Sequence, residues 1–525
     1  MRFFNTTGPI NPDRHYHIPP LSRIDLGETL RLFDEERCFV LHAPRQTGKT
    51  TVLRALQQEL NRSGLYRCVY VNIEVAQAAR EDVGAAIRAI LDVLAWESAH
   101  SIDDGTVEEI WPGILDRSGP HAALKRVLSE WASANSSPIV LFVDEIDALV
   151  GDTLISVLRQ LRSGYPDRPR RFPQSTVLCG VRDVRDYRIH SASGEVVLGG
   201  SAFNIKAESL RLGDFTEVEV RSLLGQHTAE TGHVIADDAV AAFWELTNGQ
   251  PWLVNALAYE SCFRNKAPSD RTRAVTANDV LEARERLVLR RDTHLDQLLD
   301  KLREPRGRRV IEPLLSGSLP MLRDDDIAYV RDIGLIARRP PLAIANPIYR
   351  EIIPRELSSD VQETIPHEPA WYVGTDGRLL VAELLAAFQE YFKEHSEHWV
   401  DRFGYKEAGP QLLLQAFLQR IVNSGGKIER EYGLGRLRTD LLVVWRTSGK
   451  PHQRQKVVIE CKLLRGSLTA TLKIGLAQTL AYMQRAGTDE GHLVIFDRSE
   501  GASWDDKTFR RNERVGGKLI TVWGM

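Results

Sequence analysis

The sequence predicts a multidomain α/β protein whose first sheet is parallel and ends in a phosphate-binding loop. Three observations predict it. The chain has 525 residues, too many for one ordinary core, so three or four domains are expected. Near its start a short apolar run, Phe39 to Leu41, passes through Ala43-Pro-Arg-Gln-Thr-Gly48-Lys49-Thr50 into a stretch with Val52, Leu53, Leu56 and Leu60 at helical spacing. Further on, Pro138-Ile-Val-Leu-Phe-Val-Asp144-Glu145 is an unbroken apolar run ending in two carboxylates. Such a run suits a strand covered on both faces, as parallel sheets are.

The loop between the first strand and helix has the Gly-Lys-Thr of a phosphate cradle, with Ala43 in place of the usual first glycine. Backbone N–H groups from about Gln46 to Thr50 converge on a phosphate at a helix N-terminus. Lys49 neutralises the terminal phosphates and the Thr50 hydroxyl can ligate a phosphate-bound magnesium. Pro44 has no N–H and only shapes the turn. Upstream, residues 5 to 23 are rich in proline and turn residues; in ATPases of the kind this loop resembles such a segment often lies near the base and ribose, and a surface arm packed on the core is the alternative.

Val69 to Ile73 is the next expected strand, and Val83 to Trp96 and Leu124 to Trp131 are helical. Asp144 falls at the carboxyl end of its strand, where open α/β sheets bind ligands. It is expected to hold magnesium through water, Glu145 to polarise the attacking water, and Asp147 to support the loop or cap the next helix. Ser175 to Asp183 gives a further strand with Arg182, Asp183 and Arg185 at its mouth. There an arginine can sense the γ-phosphate, reach a neighbouring subunit's nucleotide, or form a plain salt bridge. A short strand, Glu208 to Leu212, follows. Thr216 and Glu219 have capping-box spacing, and residues 216 to 262 are helical with a break at Asn248-Gly-Gln-Pro251.

Phosphate loop, acidic strand end, Gly-Val-Arg-Asp and Gly249-Gln-Pro251, in this order, resemble the AAA+/STAND group of P-loop ATPases across roughly residues 1–290. The resemblance implies an ATPase core over 1–215 and a helical lid over 216–290. It implies ATP with Mg2+ as ligand, with Ala43, Gln46, Thr47, Gly48, Lys49, Thr50, Thr51, Asp144, Gly249 and Pro251 as nucleotide contacts. It also implies a homo-oligomer. Residues 291–357 follow as one compact block. Asp324 to Ile336 and Leu342 to Tyr349 read as helix, strand, proline turn and strand, which resembles a winged helix. Residues 358–371 read as a linker.

Residues 372–525 carry a second chemistry. Leu379 to His395 and Gln411 to Val422 are expected helices. Expected strands are Lys427 to Tyr432, Leu437 to Trp445, Lys456 to Leu464 and Leu493 to Phe496, with a helix at Leu468 to Arg485. Glu460 and Lys462 stand at i and i+2 of one strand and so share a face, and Asp440 is on the neighbouring strand. Two carboxylates with the Cys461 backbone carbonyl form an oxygen site for Mg2+ or Mn2+, which would activate water on a phosphodiester. This layout resembles the PD-(D/E)xK nucleases. Glu407 resembles the acidic residue those proteins carry upstream. Gln478 and Tyr482, one turn apart on a helix, resemble the Gln-x-x-x-Tyr of RecB-like nucleases, which lines the DNA path. Arg436 and Arg438 could track phosphates. The resemblance implies a Mg/Mn-dependent endo- or exodeoxyribonuclease gated or positioned by the ATPase. A nucleotide-controlled switch or scaffold that binds without cutting, or a nuclease acting on RNA, stays open beside it.

Composition sets the remaining bounds. A net charge of −3 gives no global basic field for nucleic acid, so any contact must come from local clusters such as Arg284, Arg286, Arg290 and Arg291, or Arg306, Arg308 and Arg309. Five scattered cysteines without a Cys-x-x-Cys pair argue for a reducing compartment and against a zinc site. No apolar run reaches membrane-spanning length and no secretory signal is present, so a cytoplasmic protein without a membrane partner is expected.

Overall fold

The computed structural model describes residues 1–183, 188–190, 196–198, 203–264, 271–290, 301–302, 304–316, 322–357, 372–402, 414, 417–418, 426–434, 437–446, 454–464, 466–497, 499 and 503–525. It divides into two compact units. The first comprises residues 1–298, 328–341 and 345–348; the second comprises 299–327, 342–344 and 349–525.

In the first unit, β1 (Phe3–Phe4) pairs in parallel with β2 (His15–Tyr16). The main sheet is formed by β3 (Cys38–His42), β4 (Arg67–Asn72), β5 (Ile139–Asp144), β6 (Ser175–Gly180) and, beyond the small hairpin β7 (Arg188–His190) with β8 (Val196–Leu198), β9 (Lys206–Arg211). Its order is β4-β5-β6-β3-β9 and every pairing is parallel. Alternate side chains leave by opposite faces, and both faces are apolar. Val40, Val69, Val71, Leu141, Val143 and Leu178 join one core with the helices Val83–Ile102, Pro120–Ala134 and Gly151–Gly164. Phe39, Leu41, Tyr70, Val140, Phe142 and Val177 join the other with the helices Leu26–Asp34 and Lys49–Ser63. Two-sided burial explains why these strands read as unbroken apolar runs. The helix Thr106–Ser118, with Pro112 inside it, escaped the sequence reading. Beside it Trp131 is fully buried and its indole N–H donates to Asp104 Oδ2 at 2.9 Å.

The residues expected to form a lid make three helices in succession, Glu217–Thr231, Asp237–Thr247 and Pro251–Cys262, with a fourth at Ala277–Arg290. The capping box forms as the spacing predicts, Thr216 and Glu219 each bonding the other's backbone. Gly249 has φ +76° and a Cβ there would lie 2.0 Å from the Phe215 carbonyl oxygen. Glycine is therefore needed for this turn to pack on Phe215, whose N–H donates to the Gly249 carbonyl at 2.8 Å.

The basic clusters turn inward. Arg290 and Arg286 reach the buried Glu260 at 2.6 and 3.6 Å, and in the second unit Arg306 and Arg309 share Asp326 at 3.0 and 2.9 Å. Residues 328–341 and 345–348 belong to the first unit, because Asp332 lies between Arg182 and Arg211 at 3.5 and 3.4 Å. The expected strands shrink to single-residue bridges at Ile336 and Ile344 after the helix Asp324–Asp332. The 358–371 linker lies outside the described residues.

The second unit has a six-stranded sheet: β10 (Gly426–Leu434), β11 (Leu437–Arg446), β12 (Arg454–Leu463), β13 (Gly491–Phe496), β14 (Phe509–Val515) and β15 (Lys518–Gly524), in the order β10-β11-β12-β13-β15-β14. The first three form an antiparallel meander. The helix Leu468–Ala486 then crosses over so that β13 runs parallel to β12. Strands β14 and β15 were not foreseen; β15 adds a second parallel strand beside β13. The helix Val381–Arg402 stands where one was expected, and of 411–422 only Leu414, Phe417 and Leu418 are described, all buried. No helix among the described residues is long and apolar enough to cross a membrane.

Trp131→Phe removes the indole donor to the buried Asp104 carboxylate, which keeps Asn135 and the Thr106 N–H, and leaves space where the larger ring packed. It should cost about 1–3 kcal/mol, read as a lower thermal midpoint of the first unit with unchanged far-UV circular dichroism.

Candidate nucleotide site

At the carboxyl ends of β3 and β5 the structure opens a cleft of about 300 Å3. Gln46 at φ +57° and Gly48 at φ +94° bend the loop before the helix Lys49–Ser63. That geometry turns successive N–H groups to one side, as an anion nest requires. Residues Gln46, Thr47, Gly48, Lys49, Thr50 and Thr51 all line the cleft. Ala43 does not; it is fully buried, and its carbonyl accepts from Lys49 Nζ at 3.0 Å, with the Pro44 carbonyl at 3.1 Å.

Asp144 has no exposed surface. Its Oδ2 accepts from the Thr50 hydroxyl at 2.8 Å and the Tyr70 hydroxyl at 2.7 Å, and its Oδ1 from the Glu145 N–H at 2.9 Å. The register brings β4 alongside, Asn72 opposite Asp144. Thr50 and Asp144 thus present hydroxyl and carboxylate oxygens side by side, which suits a hard divalent cation held with phosphates and waters. Burial beside the Asp144 carboxylate also pushes the Tyr70 phenol far up, so it stays a donor.

Glu145 lines the cleft from a left-handed backbone position, φ 59°. Burial, and then the charge of Asp144, raises its carboxyl above the ordinary value, against the opposing pull of Lys49. A raised pKa makes its carboxylate a stronger base. Asp147 takes the loop-supporting role rather than capping the next helix: its carboxylate accepts from the Val181 N–H at the end of β6.

Of the two arginines at the mouth of β6, Arg182 is directed to Asp332 and sits over the Tyr329 ring at 5.1 Å. It is absent from the cleft lining, so the structure favours the salt bridge among the three readings. Arg185 lies outside the described residues. Pro251 lines the cleft with Trp252 and Asn255, whereas Gly249 serves the hinge. The N-terminal arm does drape here: residues 5–10, Tyr16 and His17 line the cleft, and the Ile10 N–H donates to the Thr51 hydroxyl at 3.3 Å.

One residue escaped the sequence reading. Arg23 donates to the Thr47 carbonyl at 2.6 Å and the Gly213 carbonyl at 2.6 Å, and stacks on Phe215 at 4.7 Å. Burial lowers its guanidinium to about 10, so it remains charged near neutrality. It ties the phosphate loop to the lid hinge. The only hint in the sequence was an arginine in a turn just before the N-cap Asp25.

In the second unit, Glu460 is 2% exposed and accepts from Lys462 Nζ at 2.6 Å. Asp440 precedes Leu441, which pairs with Ile459, so the register sets its backbone beside that of Glu460. The side chains of Asp440 and Arg438 lie outside the described residues, as do Glu407 and Arg436 entirely. Cys461 packs its side chain into the apolar core. Tyr482, expected along a nucleic-acid path, is 3% exposed within the layer between the crossover helix and the sheet. Its ring is spent on packing, because it falls on the same helical face as Met483 and Ala486 at the core. Gln478 Oε1 is buried without a hydrogen-bond partner.

Residues 26–170 match the family model of the AAA ATPase domain. No curated protein matches the chain. Among solved structures it is similar to the Walker-type ATPase PABY2304 of Pyrococcus abyssi (14% identity, 67% of this chain and 99% of that one, TM-score 0.45). It is similar also to the RuvB Holliday junction branch migration motor of Thermotoga maritima (16%, 66% and 95%, TM-score 0.33) and to Cdc6p of Pyrobaculum aerophilum (16%, 65% and 93%, TM-score 0.34). These identities and TM-scores are too low to bear on function.

Glu145→Gln should retain ATP binding while slowing hydrolysis by roughly 10²–10⁴-fold. Because burial raises the Glu145 carboxyl, the wild-type ATPase rate should fall as pH drops through a value above 4.5, the ordinary value for a glutamate; a pH–rate profile checks this. Arg23→Lys keeps the charge and loses the two-carbonyl fork. Nucleotide affinity should weaken about tenfold or more, as for loss of one charge-assisted hydrogen bond, measured by calorimetry.

Proposed function

We propose that this chain binds and hydrolyses ATP in its first unit and cuts DNA phosphodiesters in its second, with the nucleotide state gating or positioning the cutting. The ATPase half rests on the AAA ATPase domain match together with the Thr50–Asp144 contact behind the phosphate loop. Lys49 and the loop amides hold phosphate, Thr50 and Asp144 hold the Mg2+, and Glu145 takes a proton from water. In the domain scheme that goes with this reading, 1–215 is the ATPase core, 216–290 the lid, 291–357 a winged-helix-like module, 358–371 a linker and 372–525 the nuclease.

The nuclease half is carried by one observation. Glu460, almost without exposure, and the partly exposed Lys462 meet at 2.6 Å on one face of β12, directly after the buried apolar run Val457 to Ile459. Two charges on a buried strand cost desolvation energy, which a catalytic role would explain better than a structural one. The antiparallel meander and parallel crossover around β12 are consistent with that role. Glu460, with Asp440 and the Cys461 carbonyl, supplies the oxygen donors that Mg2+ or Mn2+ takes. Lys462 stabilises the developing phosphate charge. DNA is the proposed partner, a homo-oligomer the proposed assembly and the cytoplasm the proposed setting.

A second reading has its own support. The Asp332 contact holds Arg182 and Arg211 against the end of the helix Asp324–Asp332. A nucleotide-controlled switch or scaffold would use such a latch without any cutting. Cleavage assays separate the two readings. With Mg2+ or Mn2+, single- and double-stranded DNA and RNA are incubated with and without ATP. Glu460→Ala and Lys462→Ala should each abolish cutting and spare ATP turnover, and Lys49→Ala should change the ATP dependence of cutting. Cutting that survives Glu460→Ala removes that residue from the chemistry, and ATP-dependent assembly without products selects the scaffold.

A further inference from the structure

Three side chains of types that can ligate a metal meet among the helices of residues 217–262. His227 is in the last turns of the helix Glu217–Thr231, His233 follows the left-handed Gly232 that ends it, and Cys262 closes the helix Pro251–Cys262. All three are buried, and one ligand atom from each lies within 4.8 Å of the other two. The closest pair is His227 Nε2 and His233 Nδ1 at 3.2 Å. In a tetrahedral zinc site with Zn–N near 2.0–2.1 Å and Zn–S near 2.3 Å, ligand atoms stand about 3.3–3.6 Å apart. The histidine nitrogens, at 3.2 Å, stand just inside that spacing, and the Cys262 sulfur lies within 4.8 Å of a ligand atom of each.

We propose that His227, His233 and Cys262 form a site for a borderline transition-metal ion of the Zn2+ class. The surroundings fit the second shell such a site needs. The Tyr16 hydroxyl lies 3.3 Å from His227 Nδ1, the nitrogen pointing away from the cluster. His233 is oriented by a backbone hydrogen bond to Arg273. The Phe263 ring packs 5.4 Å from the His227 ring and keeps the site apolar. Burial lowers both imidazoles, His227 to about 4, so they are neutral and able to ligate near pH 7. The same burial raises the Cys262 thiol to about 12. Metal binding therefore releases the Cys262 proton to solvent as the thiolate–metal bond forms. The ion would bind the end of one lid helix to the end of another, with Tyr16 of the N-terminal arm held against them. No sequence motif announces it, since the ligands are brought together only by the packing of the lid.

The experiment uses the full, reduced, nucleotide-free chain, titrated with Co2+ and then Zn2+. One Co2+ per chain should bind with a thiolate-to-cobalt charge-transfer band in the near ultraviolet, and Zn2+ should displace it. Cys262→Ser should abolish the band, and His233→Gln should weaken binding about tenfold or more, each in a chain whose circular dichroism is that of wild type. X-ray absorption at the zinc edge of the wild-type chain needs no variant and should report one sulfur and two imidazole nitrogens. A folded chain that gives no thiolate band, a band that survives Cys262→Ser, or a zinc shell without sulfur overturns the proposal.

Discussion

The first unit depends on a single buried carboxylate. Asp144 ends the interior strand β5 with no access to water, and an uncompensated charge there would cost several kcal/mol. It is compensated from three directions: Thr50 on the phosphate-loop helix, Tyr70 on the adjacent strand, and the next residue's own N–H. Each donor constrains a different element. The β4–β5 register, the pitch of the first helix against the sheet and the left-handed turn at Glu145 must all be right together. The arrangement that satisfies Asp144 is therefore also the one that forms the cleft and aims Glu145 into it.

A second constraint works on the rim of that cleft. Arg23 is bound to carbonyls of both the phosphate loop and the lid hinge, and Gly249 lets the hinge carbonyl and amide meet Phe215. The two Arg23 hydrogen bonds tie the phosphate loop to the stretch just before the helix Glu217–Thr231. Beyond them, Gly334 lies so close to Pro44 that a Cβ would stand 2.9 Å from its ring. The 328–341 segment thus packs on the loop itself, and the Asp332 ion pairs hold it there.

Much of this was legible in the residues. Phe39 to Leu41, Val69 to Ile73 and the run into Asp144 became strands of one sheet, because residues buried on both faces leave an unbroken apolar record. The capping box at Thr216 and the meander leading into Glu460 and Lys462 were legible for similarly local reasons. Less legible were elements whose signal is weak or mixed. The helix Thr106–Ser118 carries an internal proline, and β14 is so polar (Phe-Arg-Arg-Asn-Glu-Arg-Val) that its partner strand has to define it. The arginine clusters read as open basic faces only because their partners, Glu260 and Asp326, are distant in sequence.

By itself the sequence determined the phosphate loop, the acidic strand end behind it, the main apolar strands, and a charged pair at the end of the strand β12 in the second unit. Those features arise from residues within a few positions of one another, where spacing maps onto a face or a turn. Tertiary structure alone decided that Arg23 would clasp the loop, that Arg182 would meet Asp332 instead of the cleft, and that Tyr482 would be core. It alone brought His227, His233 and Cys262 together, in a chain whose cysteine spacing argued against such a site. Each of these is a pairing across long stretches of chain, chosen by packing and by the cost of leaving a buried polar group without a partner.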